Sequence, residues 1–150
     1  MAYLFDTDAI SHLAKKRPLP DYLRWLETIP TAEQFTCAPV IGELFAGALA
    51  VGDERLLARI RDDVIPGVAA VLPFGVAEAE CYGRLRAALH REGQGLADLD
   101  LQIAACAMAH GLALVTGNRK HFARLVPLGL TCCWVLADAL SASQRASERH

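Results

Sequence analysis

The chain has 150 residues, a formal net charge of −2 and 53% hydrophobic residues, with a mean hydropathy of +0.25. That length suits one domain with one real core, no apolar run approaches the roughly 18 residues of a membrane span, and the charge balance argues against non-specific nucleic-acid binding over the whole surface. The opening Met1-Ala2-Tyr3-Leu4-Phe5-Asp6 lacks the basic stretch and long apolar run of a signal peptide, so a cytoplasmic location is expected.

Short strands and helices alternate along the chain. Residues 2–5 form an apolar strand that ends at Asp6, and Ala9, Ile10, Leu13 and Ala14 then recur at helical spacing. Pro18 and Pro20 stop that helix, and Pro20 starts the next, with Tyr22, Leu23, Trp25, Leu26 and Ile29 as its apolar positions until Pro30 ends it. Residues 35–38 read as a second strand. Pro39 then opens a helix carrying Ile41, Leu44, Phe45, Ala48 and Leu49. Gly52 breaks this helix and Asp53 caps another, with Leu56, Leu57, Ile60 and Val64 on one face. Val68–Leu72 is a third strand, and Ala77–Arg91 a long amphipathic helix closed by Gly93 and Gly95. Asp98 is the expected cap of a helix over Leu99–His110. Residues 112–115 form a fourth strand, Asn118 caps a short helix to Leu125, and Thr131–Leu136 is a last strand. The domain is expected over 1–140, followed by a polar tail, 141–150, that forms no core. Strands alternating with helices predict an α/β sandwich with a mainly parallel sheet.

The five cysteines, Cys37, Cys81, Cys106, Cys132 and Cys133, sit in apolar contexts without a C-x-x-C pair. They read as reduced, small hydrophobes, and adjacent Cys132 and Cys133 would face opposite sides of a strand. Positive charge gathers at Lys15-Lys16-Arg17, at Arg84, Arg86, His90 and Arg91, and at Arg119-Lys120-His121 with Arg124. Each cluster is ordinarily a solvated helix face; the last follows Asn118 directly.

Four apolar runs deliver a carboxylate or an amide at or just after their ends: Asp6 and Asp8 after the first, Glu43 after the second, Asp98 and Asp100 at a helix opening, and Asn118 after the fourth. In a parallel sheet the carboxyl ends of the strands share one edge, where ligands bind. Two carboxylates about 4 Å apart repel by roughly 4 kcal/mol at an effective dielectric near 20. A divalent cation or a proton would relieve that repulsion. Taken singly, these groups have ordinary jobs: Asp6 and Asp98 as helix caps, Glu43 as a dipole-favoured surface residue, Asn118 as a turn or cap.

Taken together, in order, they resemble the PIN-domain ribonucleases, the VapC-type toxins and their FitB-like relatives. Leu4-Phe5-Asp6-Thr7-Asp8-Ala9-Ile10-Ser11 resembles the family's opening motif, and Val40-Ile41-Gly42-Glu43-Leu44-Phe45-Ala46-Gly47-Ala48 its second acidic motif. Asp100-Leu101-Gln102-Ile103-Ala104-Ala105-Cys106-Ala107 and Leu114-Val115-Thr116-Gly117-Asn118-Arg119-Lys120-His121-Phe122 are similar to the third and fourth. The chain departs from the pattern at Asn118 and His121, where many relatives carry Asp. Asn offers a neutral acceptor that binds a cation less tightly, and His moves the local charge toward positive.

The resemblance implies a PIN-like three-layer α/β/α sandwich with four to five mainly parallel strands. It implies hydrolysis of RNA phosphodiesters with Mg²⁺ or Mn²⁺, through Asp6, Glu43, Asp100 and Asn118. Asp6 and Asp100 would hold the metal, while Glu43 would orient or deprotonate the attacking water. Thr7, Asp8, Asp98 and Thr116 would support these groups from outside, and Arg119, Lys120 and His121 would meet the RNA. Implied partners are tRNA or another structured RNA, a small VapB-like antitoxin through which alone DNA is contacted, and a second copy in a homodimer. A catalytically weak FitB-like binding or regulatory module, and another metal-dependent phosphohydrolase, are the alternatives. The chemistry alone would also permit DNA or a small phosphate ester.

Overall fold

The computed structural model describes residues 1–150 and places five parallel strands in one sheet, in the order β3-β2-β1-β4-β5. The strands are β1 (Tyr3–Phe5), β2 (Gln34–Cys37), β3 (Ala70–Leu72), β4 (Ala113–Val115) and β5 (Cys132–Cys133). The helices are α1 (Thr7–Leu13), α2 (Pro20–Glu27), α3 (Ala38–Val51), α4 (Glu54–Arg59), α5 (Val76–Arg91), α6 (Asp98–Ala109), α7 (Arg119–Phe122) and α8 (Val135–Glu148). From β1 the chain moves outward through β2 to β3, then returns to the other side of β1 with β4 and β5. That reversal makes the crevice between the carboxyl ends of β1 and β4 the switch point, the expected ligand site of an open α/β sheet.

Register and side-chain alternation build three layers. Leu4, Leu114 and Cys132 stand in one row and pack into the larger core, with Val40, Leu44, Leu85, Leu89 and Leu101. Phe5, Val115 and Cys133 stand in the next row and face a smaller core with Ala9, Tyr22 and Leu136. Successive side chains of a strand point to opposite faces, so one residue of slip would exchange the two cores. The two neighbouring cysteines do part to opposite faces, and all five cysteines are free.

Local chemistry explains most boundaries. Pro20 opens α2, Gly52 ends α3 at φ 66°, and the Asp53 side chain caps α4 by accepting from the Leu56 N–H at 3.0 Å. Buried His12 accepts the Leu19 N–H at 3.0 Å through Nε2 and stacks on Tyr22, whose hydroxyl donates to the Ala9 carbonyl at 3.0 Å. Burial holds the His12 pKa below its usual value, which suits an acceptor, and the three contacts lock α1 to α2. On the far side, buried Glu78 receives the Gly75 N–H at 3.1 Å and meets His110 Nε2 at 2.7 Å, tying α5 to α6.

Three expectations need correction. Asp98 does not cap α6; Ala97 occupies the cap position and Asp98 is the first helical residue. Glu43 does not open α3 but is its sixth residue, past the first turn in which the helix dipole would explain it. The last strand is only Cys132–Cys133, because the chain turns into α8 at Val135. The polar tail continues α8 as far as Glu148, with residues 142–150 exposed. Leu136 and Ala139 are buried at helical spacing, and α8 lies so close to the loop after β4 that a Cβ on Gly117 would sit 2.8 Å from Leu140 Cδ1. Between α4 and β3 the chain makes a π-helical turn, Ile60–Val64. A Cβ on Gly67 would lie 2.5 Å from the carbonyl oxygen of Asp63 in that turn, so this position has no room for a side chain.

Candidate active site

Asp6 leaves β1 with extended backbone and becomes the cap of α1, its Oδ1 accepting the Ala9 N–H at 2.8 Å. It is 3% exposed, and burial is the main cause that pushes its pKa from the ordinary 3.8 up to about 7. A hydrogen bond from Thr116 and the Ala9 N–H act in the opposite direction; the charges of Asp8 and Asp100 add to the rise. Thr116, fully buried at the end of β4, accepts the Asn118 N–H at 3.0 Å, which leaves its hydroxyl proton for Asp6. The ends of β1 and β4 thereby bring Asp6, Asp8, Asp100 and Thr116 into one electrostatic neighbourhood.

Asp100 is half-buried in the first turn of α6, and its Oδ2 lies 3.1 Å from His121 Nδ1. The same His121 nitrogen lies 2.8 Å from Asn118 Nδ2, and Asn118 Oδ1 caps α7 by accepting the His121 N–H at 3.3 Å. A protonated Nδ1 donates to Asp100, and a bare Nδ1 accepts from Asn118, so the imidazole serves one partner at a time. The Thr7 hydroxyl donates to the Glu43 carboxylate, which anchors exposed Glu43 beside the residue next to Asp6.

Asp98 stands apart from this group. Its carboxylate accepts the Tyr82 hydroxyl at 2.8 Å and pairs with Arg86, both on α5. Arg119 pairs with Asp138 and lies over the Trp134 ring, while Lys120 is exposed. Sequence reasoning missed Trp134 and Asp138 because 131–136 reads as a strand. It also missed Thr36, whose buried hydroxyl donates to the Phe5 carbonyl at 2.9 Å and fixes the end of β2 against the end of β1.

No three His, Cys, Asp or Glu side chains converge closely enough to form a ready-made metal cage. The donors present are hard oxygens, and buried Asp6 is a carboxylate short of counter-charge. Both features suit Mg²⁺ or Mn²⁺, since Mg²⁺ commonly takes one or two carboxylates and keeps several waters for its remaining positions.

A separate apolar groove of about 380 Å³ runs between α1, α2 and the π-helical turn, lined by Ile10, Leu13, Leu26, Leu44, Ile60 and Val64. Arg59 and Asp63 supply charge on its wall.

Comparison with known proteins agrees with this architecture. The chain is 28% identical over 129 residues to Ribonuclease VapC2 of Haemophilus influenzae, covering 85% of this chain and 95% of that protein. It is 31% identical over 124 residues to VapC ribonuclease Y4jK of Sinorhizobium fredii, covering 79% of this chain and 89% of that protein. The solved structure of DNA-bound VapBC from Salmonella typhimurium matches with a TM-score of 0.76 at 27% identity, covering 89% of this chain and 97% of that one. The family model described as PIN domain spans residues 3–126, from β1 through the segment after α7. With four motifs in order, a parallel sheet whose switch point holds their acidic groups, and a match over most of its length, the chain belongs to the PIN-domain family.

Proposed function

We propose that this protein is a metal-dependent endoribonuclease, the toxin of a toxin–antitoxin pair, acting on RNA phosphodiesters with Mg²⁺ or Mn²⁺. The observation that carries the reading is the Asp6 carboxyl group. It is buried at the switch point with its pKa raised to about 7, next to the charges of Asp8 and Asp100. Asp6 and Asp100 are the residues that would hold the ion. A bound divalent cation supplies a water acidic enough to attack near neutral pH and offsets charge in the phosphoryl transition state. Glu43, held by Thr7, would orient the water or accept its proton. Thr116 keeps Asp6 in place, Asp8 adds negative charge beside it, and Asn118 and His121 border Asp100. Asp98, turned onto α5, supports the helix that carries Asp100.

Incubation of the purified chain with total tRNA and Mg²⁺ is expected to give discrete fragments that EDTA abolishes. RNA binding without cleavage would favour the regulatory-module alternative, which uncharged Asn118 and the lack of a ready-made cage support. Turnover of small phosphate esters without RNA cleavage would favour a phosphohydrolase.

The partner in this reading is a small VapB-like antitoxin that lays an apolar segment in the groove between α1, α2 and the π-helical turn, and that alone contacts DNA. A basic antitoxin side chain aimed at Asp6, Glu43 and Asp100 would replace the metal's charge. Inhibition should then depend on that residue and weaken in excess Mg²⁺; full inhibition after its change to Ala would leave steric cover as the mechanism. Leu49 and Val51, exposed on α3, would join two copies, and a monomer by light scattering at micromolar concentration would overturn that part. A cytoplasmic location belongs to the same proposal; no helix is long and apolar enough to cross a membrane.

A further inference from the structure

We propose that Arg119, mounted on Trp134 and Asp138, is a substrate-binding residue that grips single-stranded RNA on the β5 side of the site. The inference rests on the ribonuclease reading. Val115 and Cys133 are register partners in β4 and β5, so the chain leaves these two strands side by side at the edge that holds Asp6 and Thr116. One exit leads through Gly117 and Asn118 to Arg119; the other leads to Trp134, where α8 begins. The Arg119 guanidinium lies 5.2 Å from the centre of the Trp134 ring and pairs with Asp138, one helical turn further along α8.

Three features favour a substrate contact over a mere fastening of α8. The first is charge. The edge gathers Asp6, Asp8 and Asp100, with Glu43 tied beside them, so a polyanion approaching it needs a fixed cation close by. Arg119 follows the site residue Asn118 directly. The second is preorganisation. A free surface Arg loses much rotamer freedom on binding, whereas two supports already restrict this one. Only one terminal nitrogen of Arg119 is engaged by Asp138, and its side chain remains 47% exposed. The guanidinium keeps further donors for a phosphate. The third is the aromatic partner. A guanidinium plane backed by an indole offers a flat cationic surface, and unpaired bases stack on such surfaces while their phosphates take the N–H groups. Bases inside an A-form duplex are not free to stack in this way, hence the preference for a single strand. Trp134 and Asp138 are positioning residues that act through Arg119, and Asp138 also competes with phosphate for it.

The test is the binding of a fluorescein-labelled random-sequence RNA oligonucleotide pool to the full chain, in EDTA so that nothing is cleaved, read by anisotropy over a series of KCl concentrations. Arg119→Ala is expected to weaken binding about tenfold and to reduce the slope of log affinity against log salt by about one. Trp134→Leu should weaken binding in the same direction, and adding Arg119→Ala to it should cost little more. Asp138→Asn should tighten binding, because a competitor for the guanidinium is gone. A labelled RNA of one defined sequence, measured alone and after annealing to its complement, should show a smaller Arg119→Ala effect in the duplex. An Arg119→Ala protein with wild-type melting temperature, affinity and salt slope would overturn the inference. So would an Asp138→Asn protein that melts lower without binding tighter, since Arg119 would then only fasten α8. Either result beside intact Mg²⁺-dependent RNA cleavage leaves the ribonuclease reading standing; a wild-type chain that neither binds nor cleaves RNA overturns both.

Discussion

The Asp6→Asn protein is expected to melt higher than wild type above pH 7 in EDTA, yet to lose RNA cleavage in Mg²⁺ by roughly 10³-fold, as removal of several kcal/mol of transition-state stabilisation would give. The two effects have one cause. In the unfolded chain Asp6 titrates near its ordinary 3.8, and in the folded chain at about 7. Between those values the folded protein holds a proton that the unfolded chain has released. Stability contributed by this group is therefore full below pH 4, falls as pH rises toward 7, and is level beyond. At 1.36 kcal/mol per pK unit the whole span amounts to about 4 kcal/mol as an upper figure. Asn keeps an acceptor for the Ala9 N–H and removes the buried charge, but it disturbs the hydrogen bond from Thr116. A net gain of about 2 kcal/mol is expected, or roughly 4–8 °C for a chain of this size. Scanning calorimetry from pH 5 to pH 8.5 checks it: the wild-type decline across this range should flatten in the variant. Parallel profiles would mean that Asp6 is ionised at little cost, and the case for a charge-starved metal ligand would fall. Mg²⁺ should raise the melting temperature of wild type and leave the variant nearly unmoved.

Phe122→Ala is expected to cost about 3–5 kcal/mol, the usual range for emptying a buried aromatic site. Phe122 is 1% exposed in the larger core and ends α7, a helix of four residues. A helix that short has no stability of its own, so its packing must hold it. The same anchor sets Asn118, which caps α7, and His121, which meets Asp100. Activity should therefore fall in Phe122→Ala even at temperatures where the protein stays folded. Phe122→Leu keeps most of the volume and should recover most of both losses. Thermal melts with cleavage assays at 20 °C below each midpoint measure the two effects separately. A stability loss under about 1 kcal/mol would show that the site collapses around the gap and that α7 is held by other contacts.

Much of this architecture is legible in the sequence because its signals are local. Pro20, Gly52 and Asp53 mark helix ends through φ, hydrogen-bonding and capping chemistry that need no tertiary context. The alternation at Cys132 and Cys133 correctly divides them between the two faces of the sheet. What escapes is set by distance in space. Cys132-Cys133-Trp134-Val135-Leu136 has the composition of a strand, and only docking of Leu136 and Leu140 over Gly117 turns its second half into helix. Asp98 looks like a cap, but Tyr82 and Arg86 on a neighbouring helix take its carboxylate. At the candidate site, the motifs single out Asp6 and Asp100 as the proposed ligands. Which neighbours raise the pKa of Asp6, and that His121 stands between Asp100 and Asn118, depend on folding β1 against β4. Thr36 carries no motif at all, since one buried hydroxyl donating to a carbonyl across strands leaves no pattern along the chain.

The central place of β1 also sets an order in time. β1 is made well before one of its neighbours and must wait for it, because β4 begins only at Ala113. Asp6 is therefore made early and completed late: Asp100, Thr116 and Asn118 follow it by most of the length of the chain. Contacts of such long range form slowly, after much entropy has been lost in closing the loop. A growing chain interrupted anywhere before β4 carries half a crevice and no assembled centre. For a protein proposed to cut RNA, and built by a machine made largely of RNA, strand order works as a delay, keeping the cutting edge apart until β4 has been made.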